Sequence, residues 1–176
     1  MTDEHGLSLE VLKTAIQMEI DGKEHYLKAS RESSNELGKK LLQTLAEEED
    51  GHRKKFEQLY NSMRTKKSWP TVFFEPDGGQ KLRTIFALAT EKLDSSVKPL
   101  DTELAAVQLA MELENKSLDF YKLQSEKTTD SDEKEFYELL AFEEREHHLI
   151  LLDYYDYLKD PEGWFVRKEH PSMDGG

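Results

Sequence analysis

The chain has 176 residues, a length that fits one domain with a sizeable hydrophobic core. It contains no cysteine, which excludes disulfides, thiolate zinc sites and iron–sulfur or rubredoxin-type iron centres. Its formal net charge of −13 argues against a nucleic-acid partner, because phosphate binding requires clustered Lys and Arg.

The polar character of the chain also bears on its location in the cell. Charged residues make up 35% of the sequence, and no segment approaches the roughly 18 apolar residues of a membrane span. Residues 1–5 are polar and acidic, so they do not predict a signal peptide. We therefore expect a cytoplasmic protein that does not contact the membrane.

Uninterrupted segments rich in Leu, Glu, Lys and Ala predict an all-α bundle of four long helices. The first helix is expected over residues 7–33, with Ser8 as its N-cap. A capping-box pattern at residues 33–36 opens the second helix, which runs to about residue 63. The short turn between these two helices makes them antiparallel neighbours.

A long crossover, residues 64–100, separates this pair from a second pair of helices. Two prolines and paired glycines between residues 69 and 79 exclude a continuous helix there. Residues 80–93 predict a shorter helix, and the loop after it closes with Pro99. We expect the aromatic side chains of the crossover to pack against the bundle, because they gain free energy on burial.

The second helix pair is predicted from its start signals. Asp101 or Thr102 is expected to cap the third long helix. Asp130 with Glu133 opens the fourth, which ends before Asp160.

The predicted domain organisation has two parts. Residues 1–163 form a four-helix bundle of two antiparallel helix pairs joined by the crossover. Residues 164–176 form a C-terminal tail, which is expected to fold back onto the bundle through the aromatic pair Trp164 and Phe165.

Two copies of a Glu-x-x-His motif stand 95 residues apart, Glu49-x-x-His52 and Glu144-x-x-His147. Residues at i and i+3 lie on one helix face, so both side chains of a motif can reach one point. One copy alone would be weak evidence, because Glu and His meet at this spacing by chance in charged helices. The second copy, in register with the first, favours a metal site.

Each half also carries a lone glutamate 30 residues before its motif. Glu19 lies on the apolar stripe of the first helix, where an acid is costly unless it is paired or bound to a cation. The third helix offers Glu112 and Glu114 as the equivalent residue. Only Glu114 repeats the alanine four residues before and the tyrosine seven residues after, so Glu112 is expected to be solvated.

The repeat therefore predicts that four helices present two lone glutamates and two Glu-x-x-His pairs to one interior point: Glu19, Glu49, His52, Glu114, Glu144 and His147. This is the arrangement of carboxylate-bridged two-metal sites in helix bundles. Two divalent cations would neutralise the four carboxylates, and carboxylate and imidazole ligands without sulfur suit Fe, Mn or Zn rather than Cu(I). The alternative interpretation is that Glu and His form interhelical salt bridges in an ordinary bundle.

These motifs resemble the ferritin-like superfamily and, more narrowly, the four-helix domain of the rubrerythrin family. The resemblance covers about residues 7–158 and rests on Ala-x3-Glu-x6-Tyr followed by Leu-Ala-x-x-Glu-x-x-His in both halves. It implies a ferritin-like fold and two metal ions, most often iron, with manganese and zinc as alternatives. By this resemblance the bridging ligands are Glu49 and Glu144, the terminal ligands are Glu19 and Glu114, and each metal has one histidine, His52 or His147.

Four further residues are candidates for a role beside the metals. Tyr26 and Tyr121 match the family's tyrosines, which hydrogen-bond near the metal carboxylates, and they are the candidate catalytic residues; plain core packing is the alternative. Glu48 and Glu143 each precede a bridging glutamate. They are solvated acids by default, and the alternative is that they accept the second N–H of a ligand histidine across the bundle.

Two departures from the family pattern affect the expected function. The chain has no cysteine-bearing rubredoxin domain, so the resemblance implies that electrons come from a separate donor protein. The family has a further glutamate three residues after the third-helix ligand; here that position is Ser117, and its repeat equivalent is Gly22. These small residues are expected to leave a gap beside the metals where O2 or peroxide binds.

The leading hypothesis is a di-iron redox protein that reduces hydrogen peroxide, or consumes O2, at the centre of the bundle. The alternatives are a ferroxidase or iron-handling protein, a di-metal hydroxylase, and a redox-silent zinc or manganese protein. The expected partners are a small oxidant, a separate electron-donor protein and a second copy of the chain in a homodimer.

Overall fold

The computed structural model describes residues 4–66, 68–71, 74–90 and 98–169. Most of these residues form helices, which short turns and the crossover connect. This confirms the predicted all-α bundle. The elements are α1 (Glu4–Glu32), α2 (Glu36–Lys66), α3 (Gln80–Thr90), α4 (Asp101–Lys127), α5 (Ser131–Lys159) and α6 (Pro161–Glu169). No helix in the described ranges is long and apolar enough to cross a membrane.

The start of α1 and the turn after it differ from the prediction. Ser8 lies inside α1 and is not its N-cap, because nothing in residues 4–7 interrupts the helix. The cap of α2 is Asn35, whose side-chain oxygen accepts the backbone N–H of Gly38 at 2.7 Å. Ser33 instead donates its hydroxyl to the backbone carbonyl of Asn35. The turn is therefore as short as predicted, and α1 and α2 pack along each other.

For the second helix pair, the predicted N-cap is correct for one helix and wrong for the other. Asp130 accepts the backbone N–H groups of Asp132 and Glu133, both at 2.9 Å, as expected of an N-cap. The residue before α4 is Leu100, which has no side-chain acceptor. Its backbone carbonyl accepts the N–H of Glu103 at 3.0 Å, so neither residue predicted to cap this helix does so.

Two apolar clusters fill the bundle, and a group of buried acids and histidines separates them. One cluster includes Tyr26 and Leu42, and the other includes Tyr121 and Tyr137. Along each of the four long helices, the predicted ligand glutamate falls between residues of the two clusters. The fold thus surrounds a polar centre with apolar side chains on both sides, which keeps water away from it.

The crossover packs against the bundle as expected for its described aromatic residues. The Trp69 ring lies 5.9 Å from that of Phe136, and the Phe74 ring lies 6.0 Å from the His52 imidazole, measured between ring centres. Residues 91–97, which include the predicted end of the short helix, lie outside the described part of the chain.

The start of the C-terminal segment is helical. Helix α6 begins at Pro161, three residues before the predicted tail. Trp164 is 2% exposed, and its ring packs against those of Phe86 and Tyr157. The segment therefore folds back onto the bundle through this tryptophan, while residues 170–176 lie outside the described part.

Candidate metal centre

All six predicted ligands meet at the polar centre of the bundle. The first group consists of Glu19, Glu49, His52 and Glu144, which offer ligand atoms within 4.8 Å of one another. A second group has the same compactness and consists of Glu49, Glu114, Glu144 and His147. Two of the glutamates belong to both groups, so the geometry suits two cations with two shared carboxylates. The role of these residues as ligands remains a prediction.

The helices bring these side chains together for simple geometric reasons. Glu49 and His52 lie one turn apart on the buried face of α2, and Glu144 and His147 do the same on α5. Each of the other two long helices supplies one buried glutamate to the centre, Glu19 from α1 and Glu114 from α4. Glu112, the rejected alternative on α4, is exposed, as the repeat predicted.

Seven polar atoms of this centre lack hydrogen-bond partners within the described structure. His52 Nδ1 lies 3.1 Å from Glu144 Oε1 and 3.3 Å from Glu19 Oε2, yet it makes no hydrogen bond. The same lack of a partner holds for Glu19 Oε2, Glu49 Oε1, Glu114 Oε2, both oxygens of Glu144 and His147 Nδ1.

Buried polar atoms without partners are costly, and in an ordinary interhelical ion pair they would be hydrogen-bonded. Here they are carboxylate oxygens and one nitrogen of each imidazole, all converging on one place. That donor set is the one expected for two divalent cations of the Fe, Mn or Zn type. The residues present therefore fit a two-metal centre better than they fit a set of salt bridges.

The electrostatics of the centre also favour cations. Burial raises the pKa of Glu49 and of Glu144 well above the usual range, and the neighbouring carboxylates raise both further. Burial lowers the pKa of His147, but Glu114 and other nearby carboxylates outweigh it and raise the pKa well above its ordinary value. Without cations the centre therefore binds protons, which bound metal ions replace.

Tyr26 and Tyr121 link the two halves of the bundle at this centre. The Tyr26 hydroxyl of α1 donates to Glu114 of α4, and the Tyr121 hydroxyl of α4 donates to Glu19 of α1. Burial and then the nearby carboxylates raise the pKa of both phenols well above the usual range, so both keep their protons. The tyrosines are therefore both core residues and hydrogen-bond donors to predicted ligands; their catalytic role remains a prediction.

Glu48 and Glu143 are not solvated acids, so the default interpretation was wrong for both. Glu48 Oε2 lies 2.7 Å from His147 Nε2, across the bundle, and holds the ring with Nδ1 turned to the centre. Glu143 is 3% exposed and accepts the backbone N–H of Gly78 at 3.2 Å. Gly78 has a positive φ of 63°, a turn conformation that glycine adopts without strain. Glu143, the repeat equivalent of Glu48, therefore accepts a hydrogen bond from the crossover.

Removing the Glu48 carboxylate should weaken metal binding without removing a predicted ligand. We expect Glu48→Ala to lower the affinity of the His147 side of the centre about 10–100-fold, because an imidazole that loses its outer hydrogen bond is less well oriented and less basic. Glu47→Ala, at a side chain that is 61% exposed, is the matched control. The measurement is competition for metal with a coloured chelator, and equal affinities for the two variants would contradict this role.

A small cavity lies beside the centre, at the two small residues singled out in the sequence. It has a volume of about 40 Å3, and Gly22, Ser117 and Glu49 are among its lining residues. A Cβ atom at Gly22 would lie only 2.8 Å from Glu49 Oε2, so this position has no room for a side chain. The exposed residues Asp21 and Lys116 also line the cavity, which therefore lies between the predicted ligands and the surface.

Comparison with known proteins places the chain in a family. The rubrerythrin family model matches residues 10–155, which include all six predicted ligands. The chain belongs to the rubrerythrin family. Membership implies a two-metal centre, typically of iron, as the buried Glu and His cluster also indicates.

A solved structure shares the fold of this rubrerythrin-family chain. It is described as a hypothetical protein from Pyrococcus furiosus and has 25% sequence identity and a TM-score of 0.65. The similarity covers 88% of this chain and 91% of the other. No curated protein sequence gives a significant match.

Proposed function

We propose that this protein is a di-iron redox protein that reduces hydrogen peroxide with electrons from a separate donor. The observation that carries the proposal is the cavity of about 40 Å3 beside Glu49 and Glu114. A cavity needs about 10–15 Å3 of such volume to hold one water, so this one accepts a molecule of a few atoms. Its size favours a small oxidant over an organic substrate.

The proposed ligand assignment follows the two groups of side chains. Glu19 with His52 would hold one iron, Glu114 with His147 would hold the other, and Glu49 and Glu144 would serve both. Two ferrous ions bound there would supply the two electrons that, with two protons taken up from solvent, convert one hydrogen peroxide to two waters. The donor set also fits manganese and zinc, so the choice of iron rests on the family.

The protein's own groups supply hydrogen bonding in this proposal. Tyr26 lines the cavity and directs its hydroxyl at Glu114. Because its pKa is raised, the phenol keeps its proton at the hydroxyl oxygen and remains a hydrogen-bond donor beside the place where negative charge develops on an oxygen atom of peroxide. Gly22 and Ser117 leave space for that oxygen, and the apolar clusters exclude bulk water.

The test of the proposal is metal analysis followed by anaerobic reduction and addition of peroxide. Rapid reoxidation with one peroxide per iron pair, and turnover when a reductant is added, would support it. Accumulation of many irons per chain with slow oxidation would instead identify the ferroxidase or iron-handling alternative. A protein that holds zinc and shows no redox response would overturn the proposal.

Filling the cavity should block small ligands. We expect Ser117→Leu to weaken azide binding to the oxidised iron protein by more than about tenfold, because the larger side chain takes the volume an anion would occupy. Asn115→Leu, at an exposed position of the same helix that does not line the cavity, is the control. Optical titration with azide measures the effect; unchanged affinity in the Ser117 variant would show that ligands bind elsewhere.

A further inference from the structure

The two halves of the 95-residue repeat surround their tyrosines differently. Tyr26 lies in an apolar cluster with Leu42, whereas Tyr121 lies in a cluster with Tyr137, the residue at the position equivalent to Leu42. Among the described residues, the aromatic ring that lies beside Tyr26 is that of its chain neighbour His25, with ring centres 6.1 Å apart. Packing is therefore satisfied by an aliphatic side chain in one half, so an aromatic side chain in the other half needs another reason.

The hydroxyl group of Tyr137 adds a second difference from Leu42. Tyr137 is 0% exposed, and within the described structure its hydroxyl has no hydrogen-bond partner. Burying a hydroxyl without a partner destabilises the fold, and a leucine such as Leu42 avoids that cost. The aromatic ring at this position is thus present despite a cost to stability.

The rings in this half form a continuous line from the metal centre to the surface. Tyr121 donates its hydroxyl to Glu19, and its ring stacks on that of Tyr137 with centres 6.2 Å apart and planes at 23°. The Tyr137 ring lies 5.9 Å from that of Trp69, which is partly exposed. Tyrosine and tryptophan are the aromatic side chains most easily oxidised by one electron.

We propose that Trp69, Tyr137 and Tyr121 form an electron path from the protein surface to the metal centre. This inference rests on the proposed function, which requires electrons from outside the chain. An outer-sphere one-electron reductant, such as a small redox protein, would deliver them at Trp69. The path lies in one half of the bundle, because Leu42 interrupts the equivalent line of rings beside Tyr26.

Electrons and protons balance along this path. When Tyr121 gives one electron to the oxidised centre, its phenol O–H bond breaks and the proton passes to Glu19 Oε1, to which it is already hydrogen-bonded. Trp69 then reduces the phenoxyl group, and Glu19 returns the proton to it. The external reductant restores the oxidised indole. Each cycle moves one electron inward and no net proton, and two cycles match the two electrons that one peroxide requires.

Tyr137 acts in this path through its ring. Its hydroxyl has no acceptor in the described structure, so it cannot release a proton and become a phenoxyl group. The indole nitrogen of Trp69 likewise has no partner there and keeps its proton when the ring is oxidised. The stacked ring of Tyr137 therefore bridges the two oxidisable residues and is not itself oxidised.

The path can be tested in protein loaded with zinc, which fills the centre but accepts no electron. The chain has two tryptophans, and Trp164→Phe leaves Trp69 as the single one. Pulse radiolysis with azide radicals oxidises this indole, and optical absorption then follows its conversion to a phenoxyl product. We expect conversion with a rate independent of protein concentration, falling by at least about tenfold in Tyr121→Phe and unchanged in Tyr26→Phe. Equal rates in these two variants would overturn the path.

Two substitutions at residue 137 separate the ring from its hydroxyl. Tyr137→Phe keeps the bridge and should keep the transfer rate, whereas Tyr137→Leu, which copies the equivalent Leu42, should lower it by at least about tenfold. Equal rates for the leucine and phenylalanine variants would refute the bridging role. If the leucine variant does not fold, the comparison of Tyr121→Phe with Tyr26→Phe still tests whether the path exists.

The iron-loaded protein distinguishes failure of the path from failure of the proposed function. If ferrous protein does not react with peroxide, the proposed function is wrong, and the zinc-loaded protein still reports whether the path exists. If peroxide is reduced, we expect Trp69→Phe to slow the subsequent re-reduction by at least about tenfold and Trp164→Phe to leave it unchanged. Equal re-reduction rates in both variants would remove the path and leave the proposed function intact.

Discussion

Glu144→Ala is expected to abolish tight binding of both metal ions, whereas Glu19→Ala should remove one. Glu144 belongs to both groups of predicted ligands, it is fully buried, and neither of its carboxylate oxygens has another partner in the described structure. Glu19 belongs to one group. The loss from Glu144→Ala should exceed the roughly 10–100-fold effect of changing a residue that only orients a ligand. Metal content per chain after gel filtration measures it.

The control for this experiment is Glu112→Ala, which removes an exposed glutamate two residues from a predicted ligand and should leave the metal content unchanged. Helical circular dichroism of each variant separates loss of metal from loss of fold. Full occupancy in Glu144→Ala would show that the bridging assignment is wrong. Loss of both metals in Glu19→Ala would show that the two sites bind in an all-or-none manner.

The meeting of these six side chains at one place was predictable because the repeat allows each position to be compared with its equivalent in the other half. Glu19 alone is one acid on an apolar stripe, and Glu49 alone is one of several acids in a row. The register of 95 residues selects one acid in each case, since the fold requires the same face of the equivalent helix to point inward. This argument needs helix periodicity alone, so errors of a few residues in the predicted helix ends did not affect it.

The predicted caps failed where they relied on residue type alone. Ser8 is a favourable N-cap residue, but the chain before it is not interrupted in residues 4–7. Helix α1 therefore already includes those residues. At Leu100 the backbone carbonyl accepts the first hydrogen bond of α4, and no side chain caps the helix. Asn35 and Asp130 do cap their helices, because each stands directly before the first helical residue and accepts N–H groups that would otherwise be unpaired.

The unequal roles of Glu48 and Glu143 could not be read from the sequence. The repeat makes them equivalent, but Glu48 meets His147 while Glu143 meets Gly78 of the crossover. That crossover occurs once in the chain, so it breaks the symmetry of the two halves in a way that helix periodicity does not describe. The line of rings from Trp69 to Tyr121 differs between the halves for another reason, because Tyr137 stands where the other half has Leu42.

The difference between the two halves bears on how the two proposed tasks, binding an oxidant and receiving electrons, would be separated. The cavity with Gly22 and Ser117 lies between α1 and α4, whereas Trp69 packs near the start of α5. A small oxidant and an electron donor would then approach the centre from different elements of the bundle. Access for a molecule of a few atoms would not require that the apolar cluster around Tyr137 open.

Removing metal from the protein is expected to lower its thermal stability strongly. Four buried carboxylates that face one another are stabilised by cations and repel one another without them. At a free metal concentration about 100-fold above Kd, each site adds about 2.7 kcal/mol to the free energy of unfolding, or about 5 kcal/mol for two independent sites. For a domain of about 150–250 residues that corresponds to a fall in Tm of roughly 10–20 °C on chelation.

Thermal unfolding with and without a strong chelator measures this effect, and Glu144→Ala supplies its control. That variant lacks one of the four repelling carboxylates and cannot gain stability from both metals, so chelator should shift its Tm by only a few degrees. A large chelator-dependent shift in Glu144→Ala would mean that the stabilising metal binds outside the predicted centre. A small shift in the unmodified protein would mean that protons on Glu49 and Glu144, whose pKa values burial raises, satisfy the centre as well as cations do. Metal binding would then be separable from folding, and the acids would serve the chemistry of the centre at no cost to the stability of the bundle.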